Sequence, residues 1–386
     1  MVLAICLARQ GVPVTLLESH NDFEREFRGD TLHPSTLEIL DQLGWADELL
    51  QIPHGILRSV GFDTPNGSFT VANFESLKTK FPYVAVMAQS KFLNFLAEHA
   101  KVFPCFDLRM GASVTQTISE DGRTTGICYQ TSTGRGRILS PLVVGADGRF
   151  SRIRKAIGVE PTKSSPPMDV LWFRLPIVQG DPKALHFRIQ DGHLLVLINR
   201  GSYWQLGLIV LKGTYREIKS KGIDKFQCLV KTLAPELADR VNTVSDWKNI
   251  TPLNVEANYM PVWHKPGLLL IGDAAHVISP VGGVGINIAI QDAVEAANLL
   301  GPRLKIGTIN DRDLAKVQKK RGLSVRMIQA FQSFLQHRIV KTALQSDATF
   351  RPPIVLNFPF VKPLIARVIG FGPRKVRLAR HTDDAP

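Results

Sequence analysis

The stretch Leu268-Leu269-Leu270-Ile271-Gly272-Asp273-Ala274-Ala275-His276-Val277-Ile278-Ser279-Pro280-Val281-Gly282-Gly283-Val284-Gly285-Ile286-Asn287 decides how this chain folds. Four consecutive apolar residues read as a strand buried on both faces, as parallel sheets covered by helices require. The strand delivers Gly272 and Asp273, and the acid is placed to accept hydrogen bonds from a polyol. Pro280, Gly282, Gly283 and Gly285 then bring backbone against a flat ligand where a new helix opens, predicted over residues 285–300. The positive end of that helix would stabilise a ring system that becomes negative on reduction. Ser279 lies in no GxSxG elbow, which argues against a hydrolase, and His276 reads as a loop-packing histidine rather than a base.

Upstream, Leu142-Val143-Val144-Gly145-Ala146-Asp147-Gly148-Arg149 repeats the logic of strand, glycine and acidic turn, followed by a predicted helix from about Ser151 that carries Arg154. Backbone N–H groups and a guanidinium would there meet an anion. The chain opens with an apolar helical segment, Met1 to Gln10, stopped by Gly11, and a short strand, Val12 to Leu17, that ends at Glu18. An acid at that place suits a ribose diol. Arg25, Arg28, Gly29 and Asp30 form a second candidate anion turn ahead of the helical pattern 36–44. Residues 90–100 repeat that helical pattern, and strands are predicted at 112–118, 125–130 and 138–145. Residues from about 160 to 260 are rich in β-formers, and from Asp311 to about Ala343 the pattern is helical.

The expected architecture is therefore α/β: a Rossmann-like nucleotide-binding domain over 1–158 and 260–310, an inserted β-sheet substrate domain over 159–259, and a basic helical region over 311–386. At 386 residues, 44% hydrophobic and 21% charged, the composition is that of a folded globular protein, and no apolar run is long enough for a membrane-spanning helix. Four scattered cysteines without CxxC or zinc spacing point to a reduced, cytoplasmic protein with no metal, and the N-terminus shows no signal-peptide pattern. The net charge of +13 is uneven. Residues 1–300 hold 30 basic and 29 acidic side chains, whereas 301–380 hold 17 and 3. The basic region lacks zinc-finger, RNP or basic-zipper patterns, so nucleic acid is not the expected partner; an anionic cofactor, or peripheral contact with the inner face of a membrane, fits the charge.

Taken together, GADGRFSRIR (145–154) and GDAAHVISPVGGVGIN (272–287) resemble the class A flavoprotein aromatic hydroxylases, the family of para-hydroxybenzoate hydroxylase and the ubiquinone-pathway ring hydroxylases. The resemblance runs from Met1 to about Leu300. It implies noncovalent FAD, with Glu18 on the adenosine ribose, Arg28 and Gln89 beside the cofactor, and Asp147, Gly148 and Arg154 in the fingerprint that serves both FAD and NAD(P)H. It also implies Gly272 and Asp273 on the ribityl chain, and Pro280, Gly282, Gly285, Ile286 and Asn287 around the isoalloxazine. NAD(P)H would reduce the flavin, and O2 would form a C4a-hydroperoxide that hydroxylates a small aromatic or quinone-like substrate, with no side-chain nucleophile. Trp172, Arg174, His193, Arg200, Tyr203, Trp204 and Gln205 are candidate substrate lining. The family's opening strand and GxGxxG turn have no counterpart in this sequence, so the resemblance implies about 15–25 further N-terminal residues in the active form.

Two other readings stay open: a flavin-dependent reductase or epoxidase acting on an isoprenoid lipid, which shares both fingerprints, and a non-catalytic remnant that keeps the fold without binding FAD. A flavin halogenase is disfavoured, since no WxWxIP-like pattern is present.

Overall fold

The protein is described by a computed structural model for residues 1–24, 31–181, 185–200, 203–340, 343–344, 356 and 358–379. Helix α1 (Val2–Ala8) ends near Gly11, where φ is +76°, and is followed by strand β1 (Val14–Leu17) with Glu18 at its tip. Helices α2 (Pro34–Gln42) and α3 (Gln89–Ala100) come next, then β2 (Phe106–Arg109) and β3 (Val143–Gly145). The hairpin β4 (His264–Lys265) and β5 (Leu268–Leu270) leads to α4 (Gly285–Lys305), α5 (Asp311–Leu335) and α6 (Val361–Phe371).

The parallel sheet comes as two ladders. β1 pairs with β2 from Val14 opposite Phe106 to Leu17 opposite Arg109, and β3 pairs with β5 from Val143 opposite Leu268 to Gly145 opposite Leu270. Among the described residues no strand joins them, so β1 and β3 each keep one edge without a partner strand. Burial follows pairing: Leu268, Leu269 and Leu270 are wholly buried, while Val14, Leu16, Leu17, Val143 and Val144 are only half-buried. β5 packs with Trp263, Met260 and Ile271 and with Ile288, Ala293 and Ala296 of α4.

A seven-stranded sheet forms the second layer, in the order 251–253, 168–176, 203–211, 193–199, 185–190, 59–64, 67–73. Strands 59–64 and 67–73, which lie within the 1–158 stretch, thus complete the sheet built mainly from 159–259. Alternation gives the sheet two different faces. Phe173, Leu175, Trp204, Leu206 and Leu208 pack on Phe226, Val230 and Leu233 of a covering helix, whereas Met168, Val170, Trp172 and Ile209 face the other way, toward Val281 and Leu335. Gly207 sits opposite Trp172, and a Cβ there would stand 2.7 Å from the indole, so this glycine makes room for the ring.

The strand predicted over 138–145 divides in two. Residues 134–139 belong to an antiparallel ribbon with 113–120 and 123–131, and Pro141 separates them from β3. Gly267 turns the chain into β5 with φ +72°, and a Cβ there would strike the Thr124 carbonyl oxygen. Gly267→Ala is expected to lower stability by roughly 3 kcal/mol through left-handed backbone strain and overpacking together, read from the urea midpoint.

Candidate functional site

The loop between β5 and α4 is held from four directions. Gly272 adopts φ +58° close against Ala289 of α4, and its N–H donates to Asp292 Oδ2 at 3.2 Å. Asn287, 2% exposed, spends its side chain on protein partners. Its Oδ1 accepts from the His33 N–H (2.9 Å) and Thr36 Oγ1 (2.7 Å), and its Nδ2 donates to the carbonyls of Thr31 (3.0 Å) and Gly283 (3.3 Å). The asparagine thus fastens the glycine loop to the start of α2 and is not itself a side-chain donor to a ring. Along α5 and its C-cap, Gln329, Gln332 and Gln336 at i, i+3 and i+7 fall on one face and donate to the Val277, Ser279 and Val281 carbonyls and to Ser279 Oγ. From below, Arg154 Nη1 donates to the Ala274 carbonyl at 3.4 Å, and its Nη2 to the Arg149 carbonyl at 2.7 Å, joining the Asp-Gly turn to the Gly-Asp turn.

Beneath the loop lies a buried charge cluster that sequence reading did not find. Asp292 accepts from Arg321 Nε at 2.7 Å and pairs with His276 Nε2 at 2.6 Å; all three side chains are almost fully inaccessible. Burial alone would push the Asp292 carboxyl up, yet His276 and Arg321 outweigh it and hold it below the ordinary carboxylate range. The His276 ring also lies against Trp263, centroids 4.9 Å apart and tilted by 39°, so the histidine both packs and is tied to the acid.

With the loop fixed this way, Pro280 is exposed, Asp273 is half-buried at the end of β5, and a Cβ at Gly285 would meet open space. The first N–H groups of α4, at Gly285 and Ile286, belong to the unpaired first turn of a 21-residue helix. Gly282 holds φ +80°, a conformation a side chain would strain. An acid beside an open glycine turn and a long helix's positive end form a donor and acceptor set that fits the ring and ribityl chain of a flavin. Glu18, at the tip of β1, is partly exposed, and one of its oxygens accepts from the His20 N–H at 2.9 Å. Gln89 opens α3, and Arg28 lies outside the described residues.

The Asp147 turn differs from expectation. Its helix is a short 3-10 segment, residues 153–157, and Asp147 itself caps it: Oδ2 accepts from the N–H groups of Arg152 (2.7 Å) and Ile153 (3.2 Å), and Oδ1 accepts from Ser151 Oγ (2.5 Å). Those donors are therefore not offered to an anion. Gly148, with φ +79° and nothing near it, makes the turn and leaves that surface open. The proposed lining is also sorted by the strand alternation. Trp172, Arg174, Tyr203 and Gln205 share one face, with Arg174 over the Tyr203 ring at 4.7 Å and Arg200 donating to Gln205 Oε1. Trp204 points the opposite way and donates to Asp181 at 2.7 Å, and His193 belongs to a hairpin turn, its ring against the Asp191 carbonyl.

His33, at the start of α2, sits under the loop with Nδ1 on the Ile369 carbonyl at 2.8 Å; burial pushes its imidazole down to about 4 against the raising effect of that bond. An unfolded histidine takes a proton near pH 6.5, so this contribution is complete above that pH and falls as pH drops toward 4, by roughly 3 kcal/mol in all. Urea midpoints measured across that range should show the slope, and His33→Gln should remove this part of it.

The description "FAD binding domain" names the family whose model matches residues 1–332. A 6-methylpretetramide 4-monooxygenase of Streptomyces rimosus is 28% identical over 385 residues, covering 98% of this chain and 91% of that protein. A pentachlorophenol 4-monooxygenase of Sphingobium chlorophenolicum is 24% identical over 302 residues, 76% of this chain and 54% of that longer protein. The solved structure of the OxyS anhydrotetracycline hydroxylase from Streptomyces rimosus superposes with a TM-score of 0.72 at 19% identity, over 96% of this chain and 73% of that one, and shares the fold. With the family model spanning most of its length and monooxygenases among its sequence relatives, this chain belongs to the FAD-binding-domain family of flavoprotein monooxygenases.

Proposed function

We propose that the protein uses FAD, NAD(P)H and O2 to hydroxylate an aromatic or quinone-like ring. The observation that carries this reading is that the open glycine loop and the apolar face of the large sheet meet at Val281. Bound FAD supplies hydride acceptance and oxygen activation. The chain's own part is to bind, orient and keep dry. Glu18 and Asp273 accept hydrogen bonds from cofactor hydroxyls, and the first turn of α4 places N–H dipoles where ring charge develops. Residues 1–158 and 260–310 hold the cofactor in this reading, and 159–259, with strands 59–73, hold the substrate.

Opposite the loop, Trp172, Phe62, Phe69 and Phe187 offer an aromatic wall that excludes water and packs against a flat ring; Phe62 lies 5.4 Å from both Phe69 and Phe187. Arg174, Tyr203 and Gln205 give that wall a polar end suited to a ring hydroxyl or carbonyl. The relatives named for 6-methylpretetramide and pentachlorophenol support an oxygenated or phenolic ring as the class.

The test is substrate-stimulated NAD(P)H oxidation by the FAD-loaded protein under 18O2. A product heavier by one labelled oxygen is the expected result. Oxidation that proceeds equally without O2 would point to the reductase reading, and no retained flavin to the remnant.

A further inference from the structure

Helix α5 carries two opposite faces. The inner one, with Leu314, Val317, Val325 and Ile328, is buried in the core. The outer one presents Leu323, Met327 and Phe334, which are 68%, 50% and 56% exposed, with exposed Ala330 between them. At about 100° per residue, these four positions form a single stripe along the helix. Exposed Lys319, Arg326, His337 and Arg338 flank it. Lys319 and Arg326 have no ion-pair partner among the described residues, whereas Lys320 is engaged with Glu295 and Arg321 is buried on Asp292. From Leu314 to Ser346 the sequence contains no acidic residue. Outside α5 the same composition recurs: Phe358, Phe360 and Leu364 are exposed beside Arg367, and the two phenylalanine rings stand 5.8 Å apart.

We propose that the outer face of α5 docks on an anionic lipid surface, its apolar stripe entering the headgroup region and its flanking cations pairing with phosphates. Charge selects this occupant. A second copy of the chain, laid along the same helix, would oppose cations to cations with no acid within the acid-free stretch to relieve them. Shape agrees with it: the stripe is a convex line on one helix, which a fluid bilayer accommodates and a rigid partner would have to meet with a groove. No helix among the described residues is long and apolar enough to cross a membrane, so the contact is superficial.

The experiment is co-sedimentation of the full chain with vesicles of phosphatidylglycerol and phosphatidylcholine, and with phosphatidylcholine alone. Binding to the anionic vesicles only, released by high salt, is expected. The combined variant Leu323→Ser, Met327→Ser, Phe334→Ser and the pair Lys319→Glu, Arg326→Glu should each lower the bound fraction about tenfold while melting like the parent. Absence of sedimentation at low salt would overturn the proposal, as would binding that neither variant weakens or equal binding to neutral vesicles. A concentration-dependent dimer abolished by the serine variant, without vesicle binding, would assign the stripe to self-association instead.

Discussion

Asp292→Ala is expected to destabilise the protein by about 3–5 kcal/mol, a large share of a typical domain's stability. Removing the carboxylate strands the Arg321 guanidinium, which donates to it through Nε and whose terminal nitrogens have no hydrogen-bond partner among the described residues, and the ring of His276, both in an interior that water does not reach. The Gly272 N–H loses an acceptor as well. The measurement is a urea titration of Asp292→Ala beside Arg321→Met. The latter removes the positive charge and should cost less if an apolar side chain fills the space, because the remaining His276–Asp292 pair still hydrogen-bonds. Asp292 is held below its ordinary pKa, so its contribution is full above the unfolded carboxylate range and is lost as pH falls through the folded value. An Asp292→Ala protein unfolding at the parental urea midpoint would mean that the cluster contributes no net stability.

The second large effect falls on the cofactor. Asp273→Ala removes a polyol acceptor, and Gly285→Val puts a branched side chain into the open space where backbone must approach the ring. Each variant is expected to keep its fold, since neither side chain takes part in the buried cluster, and to retain less than about a tenth of the parental flavin, a loss of roughly 1.4 kcal/mol or more in binding. Visible absorbance near the flavin bands, set against melting temperature, separates loss of cofactor from loss of fold. Full flavin content in both variants would move the site elsewhere.

How much of this was legible beforehand depended on whether a residue's partner was local. The run Leu268–Ile271 announces a strand buried on both sides, and the acid, proline and glycines after it announce the loop, because each acts through its own backbone. The Asp292–Arg321 pair spans 29 residues and two helices, and an acid inside an apolar helical run reads as a surface residue until the partner is seen. The glutamines of α5 carry a usable signal, their i, i+3, i+7 spacing on one face, but nothing in that spacing says which carbonyls they reach. Tyr203, Trp204 and Gln205 cannot all face a ligand in a period-two strand; the sheet's other layer, through Asp181 and Phe226, decides that Trp204 is the one turned away. The Asp147 turn reads from sequence as an anion site for the same reason: the pattern shows the turn but not that the Asp147 carboxylate bends back to accept from the turn's own N–H groups.

The division of the parallel sheet bears on how the molecule behaves in company. A ladder edge without a partner strand is a row of N–H and C=O groups, and an extended segment can add to it at the usual strand separation of about 4.7–4.9 Å. Native sheets blunt such edges with charge or proline; β1 reads Val-Thr-Leu-Leu and β3 Val-Val-Gly, with neither. Both strands are short, which limits how many bonds an intruder gains. Within the described residues these two edges are therefore where an added extended segment, from this chain or another, would find backbone donors and acceptors.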